Sequence, residues 1–202
     1  MNWNHLVGSL IILVPLLFMR SSDAAEFTFT FTGEVSSPSS FPADIPAGTS
    51  VSGYYSFSDS VTDDFPSSTE GWYSSHYTGG AINFSTGHSA TFSATGGDYT
   101  YVDTAVAFYD LSYPASGITL GGADIQFVSI YLQDDDAVFL SSDALPTTPP
   151  DIALAERAEG ALNLDGFQNL GFDLHTLYLV PEPSSLLLFV GLIATVLAWY
   201  RR

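Results

Sequence analysis

The chain contains no cysteine and no lysine, and its only cations are Arg20, Arg157, Arg201 and Arg202. Without cysteine there is no disulfide framework, no thiolate zinc site and no cysteine nucleophile. Of the 22 acidic residues, Asp23 and Glu182 lie outside residues 25–180, so that stretch sets 20 carboxylates against Arg157 alone, a net charge of about −19. A surface of that sign repels phosphates and anionic headgroups, and no nucleic-acid partner is expected. No Gly-x-Ser-x-Gly elbow is present for a serine nucleophile. His76, His88 and His175 match no metal-ligand spacing. With so many acids some pair will meet the separation that glycoside hydrolysis needs, but nothing singles one out. The body therefore reads as non-catalytic. Its weak helical candidate is 151–160.

The 202 residues suffice for one domain with a sizeable core, and both ends are apolar. Leu6 to Met19 form a block interrupted by Gly8, Ser9 and Pro15, followed by Ser22 and Ala24 in a small-residue pattern. This fits a signal peptide over 1–24 cleaved after Ala24, or alternatively after Ala25. The positive segment that normally precedes such a block is missing, which points to a weak signal or a misassigned start codon. An N-terminal anchor helix is the alternative. At the other end Pro183 to Tyr200 carry no charge. A transmembrane helix over 184–200 would span roughly 25 Å, the low end for a bilayer. Pro181 and Pro183 fix its start, Trp199 and Tyr200 suit an interface, and Arg201 and Arg202 stay cytoplasmic.

Val180-Pro181-Glu182-Pro183, the apolar span and Arg201-Arg202 together resemble the PEP-CTERM sorting signal. The resemblance covers about a tenth of the chain, 180–202, with its three parts in order and spacing. It implies recognition in the inner membrane by an exosortase, a cysteine protease of transpeptidase type, and cleavage near Pro181–Pro183. It further implies release or transfer of the body to the cell surface or extracellular matrix of a bacterium that makes extracellular polysaccharide. The expected partners are exosortase, the export machinery, the inner membrane in passing and that polysaccharide. A plain membrane anchor is the alternative.

Between the ends, residues 25–179 read as strands and turns. Phe27, Phe29 and Phe31 alternate with Thr28, Thr30 and Thr32, and Val51, Gly53, Tyr55 and Phe57 share one face of the next run. About nine short strands, punctuated by glycine pairs and proline-rich loops at 38–48 and 144–153, predict an all-β body. The expected architecture is an antiparallel β-sandwich, jelly-roll-like, flanked by an N-terminal signal helix and a C-terminal transmembrane helix. Gly48, Val51, Gly53, Tyr55, Phe57 and Asp59, with the later loop Ser142 to Asp151, also resemble a layout recurrent among exported PEP-CTERM proteins. That likeness implies a fold and an export route but no chemistry.

Two candidate sites remain. Asp134, Asp135 and Asp136, ahead of Asp59, Asp63 and Asp64, could offer carboxylates to calcium, although neither cluster has EF-hand spacing and a solvated turn is the plainer reading. Trp72 and Tyr73, read as loop residues, could stack on sugars, as could Tyr54, Tyr77, Tyr99 and Tyr101; the alternative for each is a place in the core. The body is thus expected to be a structural or adhesive matrix domain, or else a carbohydrate-binding module, calcium-assisted or not.

Overall fold

Period-two alternation governs the body of the computed structural model, which describes residues 25–38, 45–65, 69–93, 98–104, 108–134, 140, 142–165 and 168–181. Ten strands form: β1 Glu26–Ser37, β2 Ser50–Ser58, β3 Glu70–Ser74, β4 Tyr77–Phe84, β5 Ser89–Ser93, β6 Tyr99–Asp103, β7 Phe108–Leu120, β8 Ala123–Gln133, β9 Arg157–Leu164 and β10 Gln168–Val180. No helix occurs among the described residues, and the weak helical candidate 151–160 is a turn leading into β9. The signal segment 1–24, the tail from Glu182 onward, and Asp135 and Asp136 lie outside the described residues.

The expected sandwich of two sheets is instead one continuous antiparallel sheet, in the order β3-β6-β7-β8-β9-β10-β1-β2-β4-β5. It curls until it nearly closes into a barrel. β5 approaches β7 across the seam, and Tyr55, Ile82 and Phe92 face Val128 and Ile130 across the interior. The inward alternates fill that interior. Phe29, Phe57, Phe172, Ile82, Ile130, Leu132 and Leu162 are all fully buried, as is Ile45 in a loop. Twisted sheets of this many strands curl because flat ones bury too little apolar surface.

Bulges let the alternation change phase. In β10 the buried residues run Leu170, Phe172, Leu174 and then Leu177. The slip falls at exposed His175, the extra residue where Thr32 pairs with Thr176 but Gly33 pairs with Leu174. A second bulge in β8 separates Ile125 from Val128 in the same way.

Gly160 sits opposite Phe172 across β9 and β10. A Cβ there would lie 2.1 Å from the tip of the Phe172 ring, which in turn stacks on Phe31 at 5.9 Å. The glycine is what allows the ring to lie over the sheet. Gly160→Ala is expected to destabilise the domain by about 2–3 kcal/mol through overpacking, read as a lowered urea midpoint with an unchanged m-value.

Candidate binding surface and the buried corner

Residues 70–84 are almost a single strand, broken at Ser75 and His76. The first half, β3, is one edge of the sheet, whereas the second half, β4, lies beside the other edge. A strand that changes sides in this way needs a corner. Ser75 supplies it with φ 55°, a left-handed conformation costly for a non-glycine residue. The turn is held by Asp98. Its carboxylate Oδ2 accepts hydrogen bonds from the His76 and Tyr77 backbone N–H groups, both at 2.9 Å. Its carbonyl accepts from Ser75 N–H at 3.0 Å. Thr100 completes the cluster, with its hydroxyl 3.0 Å from His76 Nε2 and 2.6 Å from the Tyr77 hydroxyl. All of these residues except Ser75 are buried. His76, whose spacing matched no metal motif, is thus a corner residue.

His76 Nδ1 has no hydrogen-bond partner and lies 3.7 Å from Asp98 Oδ2. Burial pushes the imidazole down to about 4, against a smaller upward pull from Asp98. The ring is therefore neutral in the folded protein at pH 7.

The β3 edge carries the exposed aromatic residues. Trp72 and Tyr73 lie in a strand, not in the expected loop, because β3 pairs with β6 with Trp72 opposite Tyr101. Alternation then separates them. Trp72 points outward and is 39% exposed, whereas Tyr73 points inward and is 7% exposed. The Tyr73 hydroxyl donates to the Asp143 carbonyl at 3.0 Å, and burial, followed by the Asp63 charge, raises its pKa above the ordinary phenol value. Tyr73 is a core residue and offers no face to a ligand. Tyr77 is likewise buried.

On the outside, Trp72 stacks on Tyr99 at 4.8 Å with planes 13° apart and tilts against Tyr101 at 5.6 Å. Phe65, 65% exposed, overhangs this ledge. Asp64, Phe65, Glu70, Gly71, Trp72 and Tyr101 line one open groove. Burial, then the charges of Asp103 and Glu70, raises the Tyr101 phenol pKa. The groove combines flat aromatic faces with carboxylate acceptors, which suits a polyhydroxylated ligand better than an anionic one.

The neighbouring acids have structural tasks. Asp63 Oδ1 accepts from the Phe65 and Trp72 N–H groups, each at 2.9 Å. Asp64 N–H donates to the Trp72 carbonyl at 2.8 Å, and its carboxylate accepts from the Ser74 hydroxyl. Asp59 Oδ1 accepts from Ala25 N–H at 2.9 Å. Asp134 is buried. Among the described residues no three His, Asp or Glu side chains come together as a metal site. Of the sorting motif, Val180 ends β10 and Pro181 follows it; Glu182, Pro183, Arg201 and Arg202 are outside the described residues, as is Ala24. Sequence reasoning missed the Asp98–Thr100 cluster, because Asp98 looks like any turn acid after Gly96-Gly97.

Comparison of the chain with known protein families, with curated proteins and with solved structures returns no match.

The histidine makes stability depend on pH. Its folded pKa lies below the ordinary 6.5, so its contribution is full above pH 6.5 and is lost as pH falls toward about 4. The ceiling is roughly 3 kcal/mol at 1.36 kcal/mol per unit. In urea titrations at graded pH, wild type is expected to lose this stability relative to His76→Gln between pH 6.5 and 4. A difference that does not change with pH would contradict it.

Proposed function

We propose that this chain is an exported protein of the cell surface or extracellular matrix, sorted through its PEP-CTERM tail by an exosortase, with a structural or adhesive body that acts without catalysis. One observation carries the reading. The described body begins and ends at the same end of the sheet. β1 starts at Glu26 and β10 ends at Val180, and the two strands are antiparallel neighbours with Thr28 opposite Val180. The arrangement suits a domain held in one membrane by two flanking segments. Three of the buried polar residues, His76, Asp98 and Thr100, are occupied with the chain's own corner, which fits the non-catalytic part. The outward alternates of β1, half-buried Thr28 and Thr30 and exposed Thr32, with the Thr32–Thr176 hydroxyl contact at 2.7 Å, suit a hydrated matrix.

Pro181 follows the last paired residue directly, so cleavage near Pro181–Pro183 would leave the sheet whole. Intact mass of the exported protein should therefore show both ends removed in a host with exosortase and the tail retained in a host lacking it. A tail retained in both hosts would sink the sorting route.

The ledge at β3 favours a second reading of the body, a carbohydrate-binding module acting on extracellular polysaccharide. Stacked Trp72 and Tyr99 present an aromatic face to solvent beside Glu70 and Asp64. Trp72→Ala is then expected to weaken binding to the host polysaccharide about five- to thirtyfold, since a lost stacking face costs about 1–2 kcal/mol, while the domain stays folded with a urea midpoint lowered by the loss of the Tyr99 and Tyr101 contacts. Affinity gels run with and without chelator measure this and separate a calcium-assisted mode from a direct one; equal retention of wild type and variant would discard the ledge as the site.

A further inference from the structure

Cleavage of a signal segment leaves a charged α-amino group, and the place of that group depends on which bond is cut. Ala25 lies just ahead of β1 and is held to the turn after β2 by two reciprocal contacts. Its N–H donates to Asp59 Oδ1 at 2.9 Å, and its carbonyl accepts from the Asp59 N–H at 3.1 Å. Glu26 is the other acid at this rim, and its carboxylate accepts from the Thr78 hydroxyl at 2.6 Å. The Ala25 nitrogen therefore already faces a carboxylate while it is still a peptide amide.

We infer that the processing site is the Ala24–Ala25 bond and that Asp59 is the acceptor for the α-ammonium group released at Ala25. The inference rests on the export reading above. Hydrolysis by a signal-peptidase-class enzyme breaks the C–N bond with one water. The water oxygen stays with the Ala24 carboxylate, and both hydrogens end on the Ala25 nitrogen, giving –NH3+. The neutral N–H···O contact thereby becomes an ion pair within the same geometry. Cutting one residue later would discard the donor to Asp59. The new terminus would then fall at Glu26, which is already paired with Ser58 in the sheet. Asp59 thus links the first residue of the mature chain to the end of the first hairpin, and the pair exists only after processing.

The test uses the full chain secreted from a host with its own signal peptidase. N-terminal sequencing and intact mass are expected to give a chain beginning Ala25-Glu26-Phe27. NMR titration of the α-amine is expected to give a folded-state pKa about half a unit above that of the same protein unfolded in urea, in keeping with an exposed ion pair. In Asp59→Asn the difference should shrink, leaving what Glu26 and the negative surface contribute, and the urea comparison within wild type needs no variant to fold. A mature chain beginning at another residue overturns the inference, as does an Ala25 amine with equal folded and unfolded values. A chain that retains residues 1–24 overturns the export reading with it, whereas an Ala25 start with an unmoved amine overturns the role of Asp59 alone.

Discussion

One carboxylate holds the corner through which the chain passes from one edge of this sheet to the other. Asp98 gathers two backbone N–H groups at its side chain and one at its carbonyl, all from the three residues Ser75, His76 and Tyr77. Hydrogen bonds to a charged acceptor are worth about 1.5–3 kcal/mol each, and their loss would strand buried donors. The left-handed Ser75 persists because these bonds over-determine it. Through that corner the chain leaves the β6 side of the sheet and re-enters beside β2, where Ser58 N–H donates to the His76 carbonyl at 2.9 Å. The aromatic packing of Phe57 against His76 and Tyr77 depends on the same placement. Without the corner, β3 and β4 could not lie at opposite ends of one sheet.

The exposed edge of β3 shows how a short strand is kept from pairing with other chains. The segment after β2 folds over it, using Asp63 and Asp64 to occupy both the N–H and the carbonyl of Trp72. With the outward groups of its central residue already bonded, this short strand is a poor template for another. The same loop carries Phe65 above Trp72, so the device that protects the edge also builds the wall of the aromatic groove.

Much of the fold was legible in the sequence because period two is a strong signal where one face is buried. Phe29 and Phe31, and Val51, Tyr55 and Phe57, are inward as their alternation predicts. β3 escaped because Gly-Trp-Tyr reads as a turn with aromatics. Gly71 is there for a contact instead, since a Cβ at that position would meet the Asp143 carbonyl at 2.2 Å. The single continuous sheet escaped because strand order depends on the corner, and a lone Asp after a glycine pair carries no sign of its partners 22 residues earlier. Of the two aromatics proposed as a site, only the outward one presents a face, a distinction made by the parity of β3 once its pairing with β6 is known. The acids around Asp63 seemed free because nothing in sequence tells a solvated carboxylate from one that receives backbone N–H groups.

The neighbourhood of β1 and β10 also has a meaning in time. Contacts such as Thr30 to Tyr178 join residues 148 apart in the chain, so the first strand made is finished on one side only by the last. Closing so long a loop has an entropic cost that local hairpins do not face, and non-local pairing is slow. Until the final strand has been synthesised, the hydrogen bonds that β1 makes to it have no partner and the sheet stays split. A nascent chain of this topology therefore cannot complete its sheet until Gln168–Val180 has been made.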